Sequence, residues 1–334
     1  MALTQAQKAL IESAQAAGGG ELGTGLSDEA CTFLVATIIR DLGLVDRFPE
    51  IKNRDFPEFF KEADPKNLEI GGLNFRALLE RLIGAVPDSD TYFECLAKLQ
   101  KSRLKFARIL ERQSIPTMDQ VGPRALLQYG QLSPQMLAGF LLWRKWLYDI
   151  DNRAAQETGY LFEPIIAASI GGTPVSAKKS PIKRHDKPKE GRQVDCVRNR
   201  LAYEIKLRVT IAASGQGRWG EELDFPIDCK VSGYKPVLIV LDPTTNPKLT
   251  ELTNAFLRAG GEAYIGSEAW KHLEQASGTT MSLFLDKYVK APLQDVLSSA
   301  PTELPDVTFK MSDSVFFVSI GEELVEFSRS ADQE

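Results

Sequence analysis

One stretch of the sequence, KPVLIVLD at residues 235–242, limits the possible folds more than any other. A continuous apolar run of this length is typical of a strand that is covered on both faces. The next stretch, KLTELTNAFLRAGG, has helical periodicity and the pattern of a crossover helix. A second strand, EAYIG, and a second helix, SEAWKHLEQASG, follow. This alternation predicts an α/β fold with a mixed central sheet flanked by helices.

The first 150 residues predict helices joined by short polar turns. In SDEACTFLVATIIRDLGL, Ser27 can cap a helix, and Leu34, Ile38 and Leu42 recur at helical spacing. Three further segments have the same periodicity: LNFRALLERLIGAV, DTYFECLAKLQKSRLKFARILERQ and SPQMLAGFLLWRKWLYDIDNRAAQE. No strand pattern competes with them, so we expect an all-helical N-terminal region.

Two later segments extend the helical pattern. GYLFEPIIAASIGGTP predicts a helix that runs into a Gly-Gly break, and Pro164 leaves two alternatives open. Either the helix is kinked there, or it begins at Pro164 with Glu163 directly before it. Near the C-terminus, MSLFLDKYVKAPLQDVLSS predicts a helix and VTFKMSDSVFFVSIGEELVEFS predicts a hairpin.

Composition excludes several classes of protein. The formal net charge is −5 over 334 residues, so the molecule as a whole has no basic excess for nucleic acid. Four scattered cysteines without a CxxC pair, and only two histidines, argue against a zinc site and a disulfide framework. No apolar run approaches the ~18 residues of a membrane span, and the N-terminus lacks an apolar signal core. We therefore expect a cytoplasmic protein.

The stretch AKKSPIKRHDKPKEGR, residues 177–192, is a local exception to the acidic composition. It has seven positive and two acidic residues, a local charge of +5, and it predicts a loop because it has no periodicity. Two interpretations stay open: a solvated, mobile surface segment, or a segment that neutralises DNA phosphates. The positive residues are Lys178, Lys179, Lys183, Arg184, Lys187, Lys189 and Arg192.

After this loop, QVDCVR and LAYEIKL predict two antiparallel strands joined at Asn199 and Arg200. A two-residue turn makes paired positions sum to 399, so Asp195 faces Glu204. Directly opposed residues have Cβ atoms ~4.5–5.5 Å apart. Asn is favourable at the first turn position and Arg is unfavourable at the second, so a longer loop with another register stays possible.

Alternation along the second strand assigns the neighbouring side chains to faces. A period of two places Lys206 and Arg208 on the face of Glu204. Ile205, Leu207 and Val209 point the other way, into a core. The hairpin is thus predicted to be apolar on one face and charged on the other.

Two carboxylates held side by side repel each other unless a cation lies between them. Mg²⁺ accepts carboxylate oxygens and pairs with phosphate oxygens, and it helps to turn a bound water into a nucleophile. Lys206 would orient that water or offset negative charge on the phosphate. Asp195, Glu204 and Lys206 therefore predict a site that hydrolyses phosphodiesters.

This pattern resembles the PD-(D/E)xK nuclease superfamily, which is common among type II restriction endonucleases. The resemblance covers roughly residues 155–275 in motif order, with Val194 in place of the leading proline. It implies that Asp195 and Glu204 bind the metal and that the backbone carbonyl of Ile205 adds a ligand. It further implies that Lys206 serves the attacking water and that Glu163, on the preceding helix, supports the site.

Two stretches, RVTIAASGQGRWGEEL and YKPVLIVLDPT, are similar to restriction endonucleases of the ApaLI-like kind. The resemblance implies a Mg²⁺-dependent type II enzyme that cuts double-stranded DNA at a short palindrome and leaves 5′-phosphate ends. A homodimer and a cognate DNA methyltransferase in the same system are expected with it. The implied domains are helical residues 1–150 for recognition or dimerisation, a catalytic core at 151–280, and a helix and hairpin at 281–334.

Candidate DNA contacts lie on both sides of the hairpin. In SGQGRWGEE, residues 214–222, Gln216 and Arg218 have side chains that read adenine and guanine edges, and Trp219 could brace the loop. An ordinary strand-to-helix connection is an equally good interpretation of this stretch. The candidate basic contacts are Lys178, Lys179, Lys183, Arg184, Lys187 and Arg208.

Five other residues have simpler interpretations. Trp143 and Trp146, three apart on a helix, predict a core or an interface. His272 predicts a helix surface, His185 has no assigned role, and Asp242 is expected to start a turn.

Three rival functions stay open. A modification-dependent or repair nuclease would use the same site, a non-catalytic DNA-binding module would keep the fold alone, and a scaffold protein would have an incidental ExK pair. The sequence has no P-loop motif, which argues against an ATP-driven restriction subunit.

Overall fold

The computed structural model describes residues 3–18, 22–209, 216–312 and 314–330, with the backbone alone at 216–218. The α-helices are α1 (Gln5–Gln15), α2 (Asp28–Asp41), α3 (Pro49–Lys52), α4 (Phe75–Ala85), α5 (Ser89–Arg112), α6 (Met118–Val121), α7 (Pro134–Ser169), α8 (Gln216–Val231), α9 (Pro247–Arg258), α10 (Ser267–Leu285) and α11 (Ala291–Ser298). The strands are β1 (Thr173–Val175), β2 (Val194–Arg198), β3 (Leu201–Lys206), β4 (Lys235–Val240), β5 (Glu262–Ile265), β6 (Val307–Met311), β7 (Val315–Ile320) and β8 (Glu323–Ser328).

The central sheet has five strands in the order β1-β2-β3-β4-β5. Strands β1, β2 and β3 are antiparallel neighbours, whereas β3, β4 and β5 run parallel. Helix α9 connects β4 to β5 as the predicted crossover. The expected α/β fold, with a mixed central sheet flanked by helices and a helical N-terminal region, is therefore confirmed.

Strand β4 explains the continuous apolar run in the sequence. Residues 236–240 are all buried. Val237 and Ile239 pack into a large core shared with the N-terminal helices, and Leu238 and Val240 pack into a smaller core with α8 and α9. Because both faces of β4 are covered, neither set of alternate positions can be polar.

The β2–β3 hairpin has the predicted two-residue turn. Cys196 pairs with Tyr203 across it, so the register sum of 399 is confirmed. Of the two turn residues, only Asn199 has a positive φ, at 55°. That pattern matches a type II′ turn, which needs a positive φ at its first central residue alone. Arg200 is therefore acceptable at the second position.

The prediction for the residues after β3 is partly wrong. Strand β3 ends at Lys206, and Leu207 packs beside the large core that contains Ile205. Val209, however, belongs to the smaller core on the opposite face, and Arg208 is exposed beyond the strand. The alternation of side chains fails there because the extended backbone has ended.

Helix α7 spans 36 residues and passes through Pro164. A helix that begins at Pro164 is therefore wrong. An internal proline costs a helix about 3 kcal/mol. Residues 165–167, directly after it, are fully buried in the large core and offset that cost. The helix also crosses residue 150, where the sequence suggested a domain boundary, and that division stays a prediction.

Helix α2 forms the centre of the large core. The Ser27 side chain accepts a hydrogen bond from the backbone N–H of Ala30, as predicted for an N-cap. All ten residues from 30 to 39 are buried, so the helix is covered on every side instead of along one stripe. No helix in the described ranges has the length and hydropathy needed to span a bilayer.

The C-terminal segment forms a separate three-stranded antiparallel sheet, β6-β7-β8, rather than the predicted hairpin. The Trp146 and Phe316 ring centroids lie 4.5 Å apart, and those of Trp143 and Phe309 lie 5.4 Å apart. The two tryptophans thus join α7 to this sheet, which confirms their interpretation as core or interface residues.

Candidate active site

The hairpin brings the predicted site residues together on one face of the sheet. The register pairs Cys196 of β2 with Tyr203 of β3, and Asp195 and Glu204 are the next residues along the two strands. An Asp195 carboxylate oxygen accepts a hydrogen bond from the backbone N–H of Ile205 at 2.8 Å. The Lys206 Nζ donates to a Glu204 carboxylate oxygen at 3.1 Å. The turn between the strands therefore determines which acidic residues meet.

The Asp195 carboxyl is in an unfavourable environment for its charge. Burial raises its pKa well above the ordinary value, and the negative charges of Glu204 and Glu163 raise it further. Burial, followed by the charge of Glu204, also raises the pKa of Glu163. Helix α7 thus brings Glu163 within electrostatic range of the hairpin carboxylates.

Lys206 is the basic residue of this cluster. Burial alone would lower its pKa, but the negative charges of Glu204 and Glu222 raise it above the ordinary value. The Glu222 carboxylate, on α8, lies 3.4 Å from the Lys206 Nζ. Glu222 is not among the predicted site residues, because it is 16 positions from Lys206 and no motif links them.

The charge balance of the cluster fits a divalent cation. Among the described residues, no three His, Cys, Asp or Glu side chains are already arranged around one point as a metal site. Glu204 is turned to Lys206, and Asp195 to the N–H of Ile205. Nevertheless, crowded carboxylates with raised pKa values are the oxygen donors that a hard cation stabilises.

The basic stretch 177–192 is anchored to α8, contrary to the interpretation as a mobile segment. The buried Asp228 carboxylate accepts hydrogen bonds from the backbone N–H of His185 and from an Arg192 Nη, at 2.7 and 2.9 Å. The His185 Nδ1 is also 2.7 Å from Asp228. His185 and Arg192 therefore fix the segment to α8.

The basic residues predicted to contact DNA differ in whether they already form a salt bridge. Arg184 is already 3.4 Å from Glu221 and 3.8 Å from Glu190. The side chains of Gln216 and Arg218 lie outside the described residues. Four lysines and Arg208 are exposed and form no salt bridge with a described residue; the lysines are Lys178, Lys179, Lys183 and Lys187.

Two predictions about local structure need correction. The stretch SGQGRWGEE is not a loop throughout, because α8 begins at Gln216, and Trp219 joins that helix to α9 through a 3.1 Å hydrogen bond to Glu251. His272 is not simply a surface residue. Its Nε2 is 3.3 Å from the Tyr203 hydroxyl, and its ring stacks on Tyr264 with centroids 4.2 Å apart.

The prediction for Asp242 is confirmed. Its carboxylate accepts a hydrogen bond from the backbone N–H of Thr244 at 2.8 Å, which is the geometry of an Asx turn directly after β4. Asp242 thus has a local structural role.

Comparison with known proteins shows the family of the chain. Residues 62–290 match the family model of the ApaLI-like restriction endonucleases. The chain belongs to the ApaLI-like restriction endonuclease family. The type II restriction enzyme ApaLI of Acetobacter pasteurianus is 56% identical to it over 217 residues, which are 63% of this chain and 58% of that enzyme. The chain therefore spans less than two thirds of that relative's length. No solved structure matches the chain.

The match includes every residue of the candidate site, since Glu163, Asp195, Glu204, Lys206 and Glu222 all fall within it. The similarity of the sequence to ApaLI-like endonucleases is thus confirmed. The roles of the individual residues stay predictions.

Proposed function

We propose that this chain is a type II restriction endonuclease that hydrolyses phosphodiesters at a short palindromic site in double-stranded DNA. The observation that carries the proposal is the cluster of Asp195, Glu204 and Lys206 on one face of a hairpin. Membership of the ApaLI-like family supports it. Five acidic and basic side chains from four elements converge there, when Glu163 and Glu222 are included.

The metal that we propose for this site is Mg²⁺. The carboxylates of Asp195 and Glu204 and the backbone carbonyl of Ile205 would hold it, with Glu163 in support. The chemistry that bound Mg²⁺ supplies is polarisation of a phosphate oxygen and activation of a water.

Lys206 acts on the same reaction as a hydrogen-bond donor and a positive charge. The nearby carboxylates of Glu204 and Glu222 raise its pKa and favour the protonated amine. From that position it orients the attacking water or offsets charge on the phosphate. Attack at phosphorus with departure of the 3′-oxygen leaves 5′-phosphate ends.

The exposed lysines of the basic stretch are proposed to bind the DNA backbone, since each neutralised phosphate adds salt-dependent affinity. A palindromic target implies a homodimer, in which two-fold symmetry places one site on each strand. Helical residues 1–150 would contribute recognition or dimerisation. A cognate methyltransferase would protect the DNA of the same cell, and the enzyme would act in the cytoplasm.

Plasmid digestion with Mg²⁺ tests the function. The wild-type protein is expected to give discrete fragments, and Lys206→Ala is expected to cut about 10³-fold more slowly, because a charge that stabilises the transition state is lost. Lys271→Ala, which removes an exposed lysine on α10, serves as the matched control and should cut normally. Sequencing the fragment ends would give the site and the stagger.

Two outcomes would overturn the proposal. Binding of DNA without cleavage by the wild-type protein would favour a non-catalytic module. Cleavage by Lys206→Ala at the control rate would show that the site is wrongly assigned.

A further inference from the structure

The side chain of Lys206 lies between two carboxylates from different elements. Glu204, two positions earlier on β3, is 3.1 Å from the Lys206 Nζ, and Glu222, on α8, is 3.4 Å from it. All three side chains are largely buried, with exposed fractions of 17%, 19% and 26% for Lys206, Glu204 and Glu222. The ammonium group is therefore held from two directions.

The two partners differ in what else they must do. Under the proposed function, Glu204 also binds the metal, so its oxygens are shared between the cation and Lys206. Glu222 has no such second task, because its ion pair with Lys206 is its one salt bridge among the described residues. When Glu204 turns to a cation, Glu222 alone keeps the ammonium in place.

The backbone beside Glu222 is also fixed. The carbonyl oxygen of the preceding residue, Glu221, accepts a hydrogen bond from an Arg192 Nη, and Arg192 in turn pairs with the buried Asp228 at 2.9 Å. Helix α8 is thus attached at this point to the chain segment that leads into β2. A charged group on a fixed backbone can hold its partner in one orientation.

We propose that Glu222 is a positioning residue that holds the Lys206 ammonium in its working orientation for phosphodiester hydrolysis. This inference rests on the proposed function. It assigns to α8 a role in the reaction through Lys206, without contact between Glu222 and the substrate.

Single-turnover cleavage by Glu222→Gln and Glu222→Ala tests the proposal. Misplacement of a reacting group by about 1 Å can cost about 100-fold in rate. We expect Glu222→Ala to cleave roughly 10- to 100-fold more slowly. Glu222→Gln is expected to retain more activity, because its amide oxygen can still accept from Lys206. DNA affinity, measured with Ca²⁺ in place of Mg²⁺, should not change.

The matched control is Asp224→Asn, which removes one negative charge from the same helix at a residue with no ion pair in the described ranges. It should cleave at the wild-type rate. A loss in Asp224→Asn as large as that in Glu222→Ala would overturn the proposal, because the effect would then come from the charge of the helix.

A double variant separates positioning from a merely structural role. In a Lys206→Ala background, Glu222→Gln should cause no further loss of cleavage, since its effect passes through Lys206. An independent, additive loss would overturn the proposal, as would a loss of DNA affinity that accounts for the slower cleavage. If the wild-type protein does not cleave DNA, the proposed function fails first. If it cleaves and Glu222→Ala cleaves equally fast, this inference alone fails.

Discussion

Two clusters of charged side chains each include one residue of α8, Asp228 or Glu222, and they differ in their charge balance. In the first, one carboxylate, Asp228, is shared by Arg192 and His185. In the second, the candidate site, one lysine is surrounded by four carboxylates, from Asp195, Glu163, Glu204 and Glu222. The first cluster satisfies its charges internally, and the second has an excess of negative charge.

The central ion pairs of the two clusters also differ in exposure. The side chains of Asp228 and Arg192 are 1% and 8% exposed, whereas those of Lys206, Glu204 and Glu222 are 17%, 19% and 26% exposed. A buried, balanced ion pair is costly to break, because removal of one partner leaves an uncompensated charge. A partly open cluster with unbalanced carboxylates can accept a cation. The two clusters therefore differ in charge balance and exposure independently of any motif.

The largest effect on stability is expected for Asp228→Ala. It leaves the buried guanidinium of Arg192 without its carboxylate, and we expect the free energy of unfolding to fall by about 3 kcal/mol. Urea denaturation of this variant and of Asp224→Asn, which should be near wild type, measures the difference.

A double variant, Arg192→Met with Asp228→Leu, sharpens this result. Apolar side chains of similar volume often replace a buried ion pair at little cost. The double variant should therefore regain much of the free energy of unfolding that Asp228→Ala loses. No recovery would mean that the hydrogen bonds of this cluster, rather than its charge balance, stabilise the fold.

Asp195→Asn, in the second cluster, is expected to raise the free energy of unfolding instead of lowering it. Because the folded-state pKa of Asp195 is raised, its charge destabilises the folded protein at neutral pH. Asparagine removes that charge, and its amide oxygen can still accept a hydrogen bond from the backbone N–H of Ile205. The variant should therefore melt at a higher temperature than the wild type while losing cleavage.

The pH dependence of this gain follows from the same shift. Asp195 becomes protonated as the pH falls through its raised folded-state pKa, so the advantage of Asp195→Asn should shrink and disappear near its ordinary value of 3.8. Added Mg²⁺ should also reduce the advantage, because cation binding stabilises the wild type. If Asp195→Asn is less stable than the wild type at neutral pH without metal, the charge of Asp195 does not destabilise the fold, and the contrast between the two clusters is wrong.

The sequence predicted one of these clusters and missed the other for a physical reason. Asp195, Glu204 and Lys206 lie within 12 residues, and a two-residue turn is enough to bring them together. Asp228 is 36 positions from Arg192, and the two meet only because α8 packs on the sheet. No periodicity or turn rule predicts that contact.

The contrast between local sequence patterns and tertiary packing also explains which other predictions were right and which were wrong. The continuous apolar run of β4 and the cap at Ser27 are local patterns, and both were predicted. The side of Val209 depends on where β3 ends, and the long helix through Pro164 depends on burial of the residues after it. Local chemistry thus determined the elements, while tertiary packing determined Glu222, Asp228 and the anchoring of the basic stretch.

The smallest effect on stability is expected for His185→Gln, at the exposed edge of the first cluster. The hydrogen bond to Asp228 is the main cause that raises the pKa of His185 above its ordinary value of 6.5, and the charges of Asp224 and Asp186 add to it. The stabilisation from protonated His185 is therefore complete below about pH 6.5 and is lost as the pH rises through the raised value.

Because the His185 side chain is one-third exposed, solvent screening keeps this contribution small. Urea denaturation of wild type and His185→Gln should show a larger stability difference at about pH 5.5 than at about pH 8.5. Asp228→Ala should remove that pH dependence, since the partner that raises the pKa is gone. An equal difference at both pH values would mean that His185 holds the basic stretch through its backbone N–H alone, and that the charge balance of the first cluster is set by Arg192 and Asp228.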